Sequence, residues 1–159
     1  MQRFLACLNH IFLHPGKLVV GRGGENHEKS FEELLRVYGV DYTRHPFGQR
    51  RTPDFSVGGR AVELKSCLSD RVFLNDSFFR DDYLYILSAA DTSVIAMGRD
   101  LYSPLELEKY ECYHRELLEL RRKYSSYERL RLYPRSATQF SVRGINRFDL
   151  FRKVKNELS

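Results

Sequence analysis

With 159 residues, 42% of them hydrophobic and 30% charged, the chain has the size and composition of one globular domain, which excludes a disordered or membrane-embedded protein. Three cysteines without CxxC spacing argue against a disulfide framework or a zinc ribbon. Together with a poor signal peptide, they predict a cytoplasmic protein without membrane contact. The net charge is +5, and it is unevenly distributed: residues 120–155 hold eleven basic and two acidic side chains. This basic region favours a polyanion such as DNA as partner, with a solvated basic face as the alternative.

The predicted elements begin with two helices. Residues 1–13 have the pattern of a short helix, and a glycine-rich break precedes a second helix over 25–38. Extended segments and apolar runs of strand length follow this helix. They lie at 40–44, 54–57, 60–66, 83–87 and 94–97.

The C-terminal half predicts a long helix and further sheet. Ser103 and Glu106 form a capping box that starts a helix running to about residue 123. Another strand is expected at 129–133 and a final helix at 149–158. The order of elements predicts an α/β fold over residues 1–159, with a single mixed β-sheet flanked by helices. The side chains that we expect the long helix to bury are Tyr110, Tyr113, Leu117 and Leu120.

The segment from Thr52 to Ser66 carries the strongest chemical signal. Gly58-Gly59, between two alternating runs, is typical of a two-residue hairpin loop, so paired residue numbers sum to 117. This register places Asp54 opposite Glu63. Because side chains alternate along a strand, one face of the hairpin is expected to be apolar and the other polar. The apolar face holds Phe55, Val57, Val62 and Leu64, and the polar face holds Asp54, Ser56, Ala61, Glu63 and Lys65.

Two facing carboxylates beside an ammonium group indicate a metal-dependent reaction. The carboxylates of Asp54 and Glu63 repel each other unless a cation lies between them. Mg²⁺ prefers such oxygen ligands and keeps waters for a phosphate substrate. Lys65 can orient an attacking water or stabilise charge on the phosphate. The residues therefore predict metal-assisted hydrolysis of a phosphodiester bond.

Pro53, Asp54, Glu63 and Lys65 form a PD-(D/E)xK motif, and the segment resembles the nuclease superfamily of that name, most of all its small type II restriction endonucleases. The resemblance implies a restriction-endonuclease-like core over residues 25–97. It implies that Asp54, Glu63 and the backbone carbonyl of Leu64 bind Mg²⁺, which Mn²⁺ can replace. It further implies products with 5′-phosphate and 3′-hydroxyl ends.

The same resemblance implies a glutamate on the helix before the sheet. Glu28, followed by Phe31 and Leu35, matches that position and is a further catalytic candidate. Glu32 and Glu33 are alternatives, and a solvated helix face is another interpretation.

Candidate DNA contacts lie close to the motif and in the basic region. Arg and Gln side chains can bind the edges of guanine and adenine, and Arg can also bind phosphate. A plain solvated loop is the alternative at these positions. The candidates are Gln49, Arg50, Arg51, Ser66, Asn75, Gln139, Arg143 and Arg147.

These features predict a Mg²⁺-dependent type II restriction endonuclease that cuts double-stranded DNA at a short specific sequence. Cutting both strands with one site per chain implies a homodimer, and the helix after Ser103 is a candidate interface, with intramolecular packing as the alternative. A cognate DNA methyltransferase is expected as a genetic partner. The alternative functions are a structure-specific nuclease of the Holliday-junction-resolvase or repair type, and a catalytically inactive DNA-binding module.

Overall fold

The computed structural model describes residues 1–21, 24–49, 51–75, 77–125, 129 and 134–159. Arg50 and all but one residue of the predicted strand at 129–133 lie outside this part of the chain. None of the helices in the described ranges is long and apolar enough to cross a bilayer. The helices are α1 (Gln2–Leu13), α2 (Glu25–Val37), α3 (Pro104–Tyr124) and α4 (Arg147–Leu158). The strands are β1 (Thr43–Arg44), β2 (Phe55–Val57), β3 (Arg60–Ser66), β4 (Arg71–Asn75), β5 (Leu84–Ser88), β6 (Ser93–Met97) and β7 (Ala137–Ser141).

A five-stranded mixed sheet in the order β1-β2-β3-β5-β6 forms the centre of the fold. Strands β3 and β5 are parallel, and the other neighbours are antiparallel. The predicted α/β class with a mixed sheet flanked by helices is thus confirmed.

The prediction of a single sheet is wrong, because β4 and β7 form a separate antiparallel pair. Strand β3 already has β2 and β5 on its two edges, so β4 cannot pair with the strand that precedes it. It pairs instead with β7, a segment for which no strand was predicted and for which a DNA-contacting segment and a plain loop were the two alternatives. We call β4 and β7 together the ribbon.

The alternation along the central strands creates two cores on opposite faces of the sheet. One face is covered by α1, α2 and α4, which contribute Phe4, Phe31 and Phe151 to a cluster with Val62 and Ile86. The other face is covered in part by the ribbon. There, Val72 and Leu74 of the ribbon share a hydrophobic cluster with Tyr85 and Leu87 of β5. Glu63 and Lys65 project from this second face, since they alternate with Val62 and Leu64.

Helix α3 begins where it was predicted to begin, but it buries fewer side chains than predicted. The capping box is present, with the Glu106 carboxylate accepting the Ser103 N–H at 2.7 Å. Of the four expected core residues only Leu117 is buried, whereas Tyr113 and Leu120 are 47% and 45% exposed. The predicted burial of Tyr113 and Leu120 is therefore wrong. Charged residues lie around the helix, so it presents no continuous apolar stripe to the body of the protein.

Candidate active site

The hairpin that carries the motif has the predicted register. Phe55 pairs with Val62 and Val57 pairs with Arg60. Gly58 and Gly59 have φ values of +56° and +80°, the left-handed conformations that a tight two-residue turn requires. This turn fixes which residues face the core, and it leaves Glu63 and Lys65 on the face that α1, α2 and α4 do not cover.

Asp54 lies just before β2 and is held at both its side chain and its backbone. Its Oδ2 accepts the backbone N–H of Leu64 at 2.8 Å, and its backbone carbonyl accepts the N–H of His45 at 2.7 Å. Continued by two residues, the hairpin register would place Leu64 opposite Pro53, which has no N–H to donate. Because β2 begins only at Phe55, the Asp54 carboxylate accepts the Leu64 N–H in place of a backbone carbonyl. The Leu64 carbonyl lies on the same edge of β3 as its N–H, without a proline N–H to bind it.

Glu63 is the most buried carboxylate of the motif, with its side chain only 3% exposed. Its Oε1 accepts a hydrogen bond from Lys65 Nζ at 2.6 Å. Its Oε2 is also buried, and no hydrogen-bond partner for it exists within the described ranges. A buried carboxylate oxygen without a partner is costly, and a bound cation would satisfy it.

The electrostatics at Asp54 also favour a bound cation at this site. Burial, and next the negative charge of Glu63, raises the pKa of Asp54 to about 7. The Leu64 N–H and the Lys65 ammonium act in the opposite direction but do not cancel this effect. The site therefore concentrates more negative charge than its own lysine neutralises.

Glu28 of α2 lies at the edge of the same site. Its Oε2 accepts hydrogen bonds from Arg44 Nη2 at 3.0 Å and is 3.2 Å from His45 Nε2. Its charge also contributes to raising the pKa of Asp54. Glu32, one alternative, binds the Tyr42 hydroxyl, Arg36 and Arg44 instead, and the other alternative, Glu33, is exposed. The geometry therefore favours Glu28 among the three glutamates.

His45 is a site residue that the sequence analysis missed. It follows β1 with a φ of +47°, an uncommon conformation for a residue with a side chain. Its imidazole contacts Glu28, and its backbone contacts Asp54. The signal in the sequence is only a histidine nine positions before Asp54, which no motif spacing singles out.

A cleft of about 780 Å³ opens beside these groups. Gln49, a predicted DNA contact, lines it together with Glu28, His45 and Asp54. Arg51 lies exposed on the loop that follows. The loop before Asp54 thus borders the cleft, as its position in the sequence suggested.

The other predicted DNA contacts lie at several places. Ser66 ends β3, opposite Ser88 of β5. Asn75 and Gln139 are exposed on the ribbon. Arg143 follows the ribbon with its side chain 82% exposed, and it forms an ion pair with Asp70 at 3.1 Å.

The side chain of Arg147 packs against and hydrogen-bonds to other parts of the fold. Its guanidinium group lies 4.3 Å from the ring centre of Phe12. It donates to the backbone carbonyls of Phe12 at 3.0 Å and Ser93 at 3.4 Å. These contacts hold the Arg147 side chain against α1 and β6, so it is a structural residue rather than a DNA contact.

The donor set fits a hard divalent cation. It consists of the Asp54 and Glu63 carboxylates and the Leu64 carbonyl, all oxygen atoms of the kind that Mg²⁺ and Mn²⁺ bind. Within the described ranges no group of three His, Cys, Asp or Glu side chains forms a metal cluster. The orphaned Oε2 of Glu63 is the observation that supports the fit.

Comparison of the chain with protein-family models, with curated proteins and with solved structures finds no match.

Proposed function

We propose that the protein is a Mg²⁺-dependent DNA endonuclease, of the type II restriction class, that cuts double-stranded DNA at a short specific sequence. The observation that carries this proposal is the arrangement of Asp54, Glu63 and Lys65 on one hairpin. Asp54 is fixed against β3 by its bond to Leu64, and Glu63 is buried beside Lys65 with one oxygen unsatisfied.

Each residue has a defined task in this reaction. Asp54, Glu63 and the Leu64 carbonyl hold the cation, and Glu28 supports it or a water from α2. Mg²⁺ supplies Lewis acidity against the scissile phosphate when it is bound. Lys65 orients the attacking water, whose oxygen forms the new bond to phosphorus. The bond from phosphorus to the 3′ oxygen breaks and that oxygen takes up a proton, which leaves a 5′-phosphate and a 3′-hydroxyl.

The charge of the chain supports a polyanionic substrate. The basic region over 120–155 has a formal charge of +9 from eleven basic and two acidic residues. Arg51 and Arg143 are exposed on the loops before the motif and after the ribbon. Cationic side chains at these positions can replace the counterions of DNA phosphates. A restriction enzyme of this kind acts in the cytoplasm, with a cognate methyltransferase as its genetic partner.

Cleavage of both strands requires two copies of the site. Helix α3 carries exposed apolar side chains and is the surface that we assign to a two-fold dimer. Sedimentation should show a dimer for the wild type, and charge introduced by Leu120→Glu should convert it to a monomer. The exposed apolar side chains that share one side of this helix are Leu105, Tyr113 and Leu120.

Cleavage of phage DNA in Mg²⁺ tests the proposal directly. We expect discrete fragments from the wild type and none from Lys65→Ala or in the presence of EDTA. Lys17→Ala is the matched control, because Lys17 is an exposed lysine remote in sequence from the motif, and it should cut like the wild type.

Two other outcomes of this cleavage experiment would indicate a different function. Intact linear duplex with cleavage of a four-way junction would replace the restriction enzyme by a structure-specific nuclease. DNA binding without cleavage of either substrate, unchanged by Glu63→Ala, would indicate a binding module without catalysis.

A further inference from the structure

The ribbon sorts its side chains into a buried and an exposed set. Along β4 the inward residues Val72 and Leu74 are almost fully buried, and their neighbours on each side are exposed. In the antiparallel register Phe73 lies opposite Gln139, so these two side chains share the outer face. The side chains of this outer face that the structure describes are Arg71, Phe73, Asn75, Gln139 and Ser141.

The ribbon lies on the same face of the central sheet as the catalytic groups. Its inner residues Val72 and Leu74 join the hydrophobic cluster of Tyr85 and Leu87. In the parallel register of β3 and β5, Tyr85 is the neighbour of Glu63 and Leu87 is the neighbour of Lys65. The ribbon therefore covers the strand next to the catalytic strand, and only five residues separate Lys65 from Arg71.

The outer face has the chemistry of a surface that contacts bases. It presents a guanidinium group, two amides and a hydroxyl, and it carries no acidic side chain. Arg71 Nη1 donates to Gln139 Oε1 at 3.3 Å, so the two longest polar side chains are presented side by side. Phe73 is 47% exposed, although its neighbours in sequence on β4 are buried. An aromatic side chain that is about half exposed at that position can contact a thymine methyl group.

We propose that the ribbon enters the major groove of double-stranded DNA, where Arg71 and Gln139 bind base edges and thereby select the sequence to be cut. The major groove is about 12 Å wide and admits a two-stranded ribbon. Arginine binds guanine O6 and N7, and glutamine binds adenine N6 and N7. Arg143, which follows β7 and is exposed, contacts a phosphate and fixes the register. This assignment rests on the proposed endonuclease function for its link to cleavage, but base recognition can be measured without cleavage.

Binding to a randomised duplex library in EDTA provides the test, since cleavage is absent there. Duplexes selected by the wild type should share a short sequence that contains a guanine. Methylation of that guanine at N7, in the major groove, should block binding. Arg71→Ala should lose the preference for the guanine by about 10- to 100-fold and become insensitive to its methylation. Gln139→Ala should lose the preference at a neighbouring position.

Matched variants distinguish the loss of a base contact from the loss of a positive charge and from a loss of folding stability. Arg115→Ala removes one exposed arginine from α3 and should keep the selected sequence. Arg143→Ala should weaken binding to all duplexes equally and reduce its dependence on salt concentration. Thermal unfolding of Arg71→Ala should match that of the wild type, because the side chain lies outside both hydrophobic clusters.

The results distinguish this assignment from the proposed function. The assignment of base recognition to the ribbon would be contradicted if Arg71→Ala and Gln139→Ala left the sequence preference unchanged. It would also be contradicted if the protein did not bind duplex DNA at all. If these variants changed the sedimentation coefficient but not the DNA preference, the ribbon would be a contact between two copies of the chain and not a DNA-binding element. Selective binding that depends on Arg71, without Mg²⁺-dependent cleavage, would uphold the ribbon and refute the endonuclease.

Discussion

The carboxylate of Asp54 accepts the backbone N–H of Leu64 at 2.8 Å and so connects the start of β2 with the middle of β3. Leu64 itself points into the core beneath α1, α2 and α4. Its neighbours Glu63 and Lys65 point the other way, and they bond to each other at 2.6 Å. This hydrogen bond holds the Asp54 carboxylate beside the part of β3 that carries Glu63 and Lys65. The arrangement predicts that the site is strained electrostatically when no cation is bound.

Replacement of Asp54 by asparagine should stabilise the protein at high pH. The folded state raises the pKa of this carboxyl from 3.8 to about 7, chiefly by burial. Well below pH 3.8 the group is protonated in both states and costs nothing. As the pH rises toward 7 the unfolded chain releases its proton first, so the folded wild type loses stability relative to the unfolded chain. The neutral Asp54→Asn variant does not have this penalty.

Urea unfolding in EDTA from pH 4 to pH 8 measures the effect. The free energy of unfolding of Asp54→Asn should exceed that of the wild type by up to a few kcal/mol at pH 8, since one unit of pKa corresponds to about 1.4 kcal/mol. The difference should shrink to less than about 1 kcal/mol near pH 4. Asp91→Asn, which removes an exposed carboxylate from a turn, is the control and should change stability by less than about 0.5 kcal/mol. A difference between Asp54→Asn and wild type that does not change with pH would contradict this account.

Mg²⁺ should stabilise the wild type and not the variants that lack a ligand. A cation that binds only the folded state at 100 times its dissociation constant adds about 2.7 kcal/mol. We expect the melting temperature of the wild type to rise with Mg²⁺ concentration, and that of Glu63→Gln to stay constant. NaCl of equal ionic strength and the Asp91→Asn variant control for general salt effects. An equal rise for Glu63→Gln would place the cation elsewhere.

The local part of this site was predictable from the sequence, because the hairpin is specified by adjacent residues. Gly58-Gly59 sets the turn, and the alternation from Phe55 to Leu64 sets the faces, so the register from 55 to 62 follows. The capping box at Ser103 is local in the same way and was also predicted correctly.

The ribbon could not be predicted in this way, since it joins segments that are far apart in the chain. Residues 71–75 and 137–141 lie more than sixty positions apart, and neither segment has a turn signal connecting it to the other. The sequence from 137 to 141 is polar enough to be taken for a loop. It becomes a strand because Phe140 packs against Phe79 and the chain completes its hydrogen bonds with β4. The conformation of His45 could not be predicted either, because it depends on its contacts with Glu28 and Asp54.

Arg44 should contribute more to stability than Arg36, although both bind Glu32. Arg44 lies between Glu28 and Glu32 with its side chain 27% exposed, whereas Arg36 is 65% exposed. Loss of Arg44 leaves two partly buried carboxylates without their shared cation, which costs about 1–3 kcal/mol for charged hydrogen bonds. Loss of an exposed helical pair costs less than about 1 kcal/mol. The comparison of Arg44→Met with Arg36→Met by urea unfolding tests this difference, and equal losses would show that the Arg44 bridge has no special role.

Gly98 should tolerate no side chain, because the backbone passes directly over it. A Cβ at this position would overlap the carbonyl oxygen of Arg80 and touch the ring of Tyr85. Its N–H also donates to the Tyr83 carbonyl at 2.8 Å, so the segment cannot move away without losing that bond. We expect Gly98→Ala to reduce the free energy of unfolding by about 3 kcal/mol or more, as in overpacked cores. Gly16→Ala is the matched control, since a Cβ there meets nothing within 4 Å and should change stability by less than about 1 kcal/mol. Urea unfolding of the two variants side by side gives the answer, and similar stabilities would mean that the turn after β6 can open to admit a methyl group.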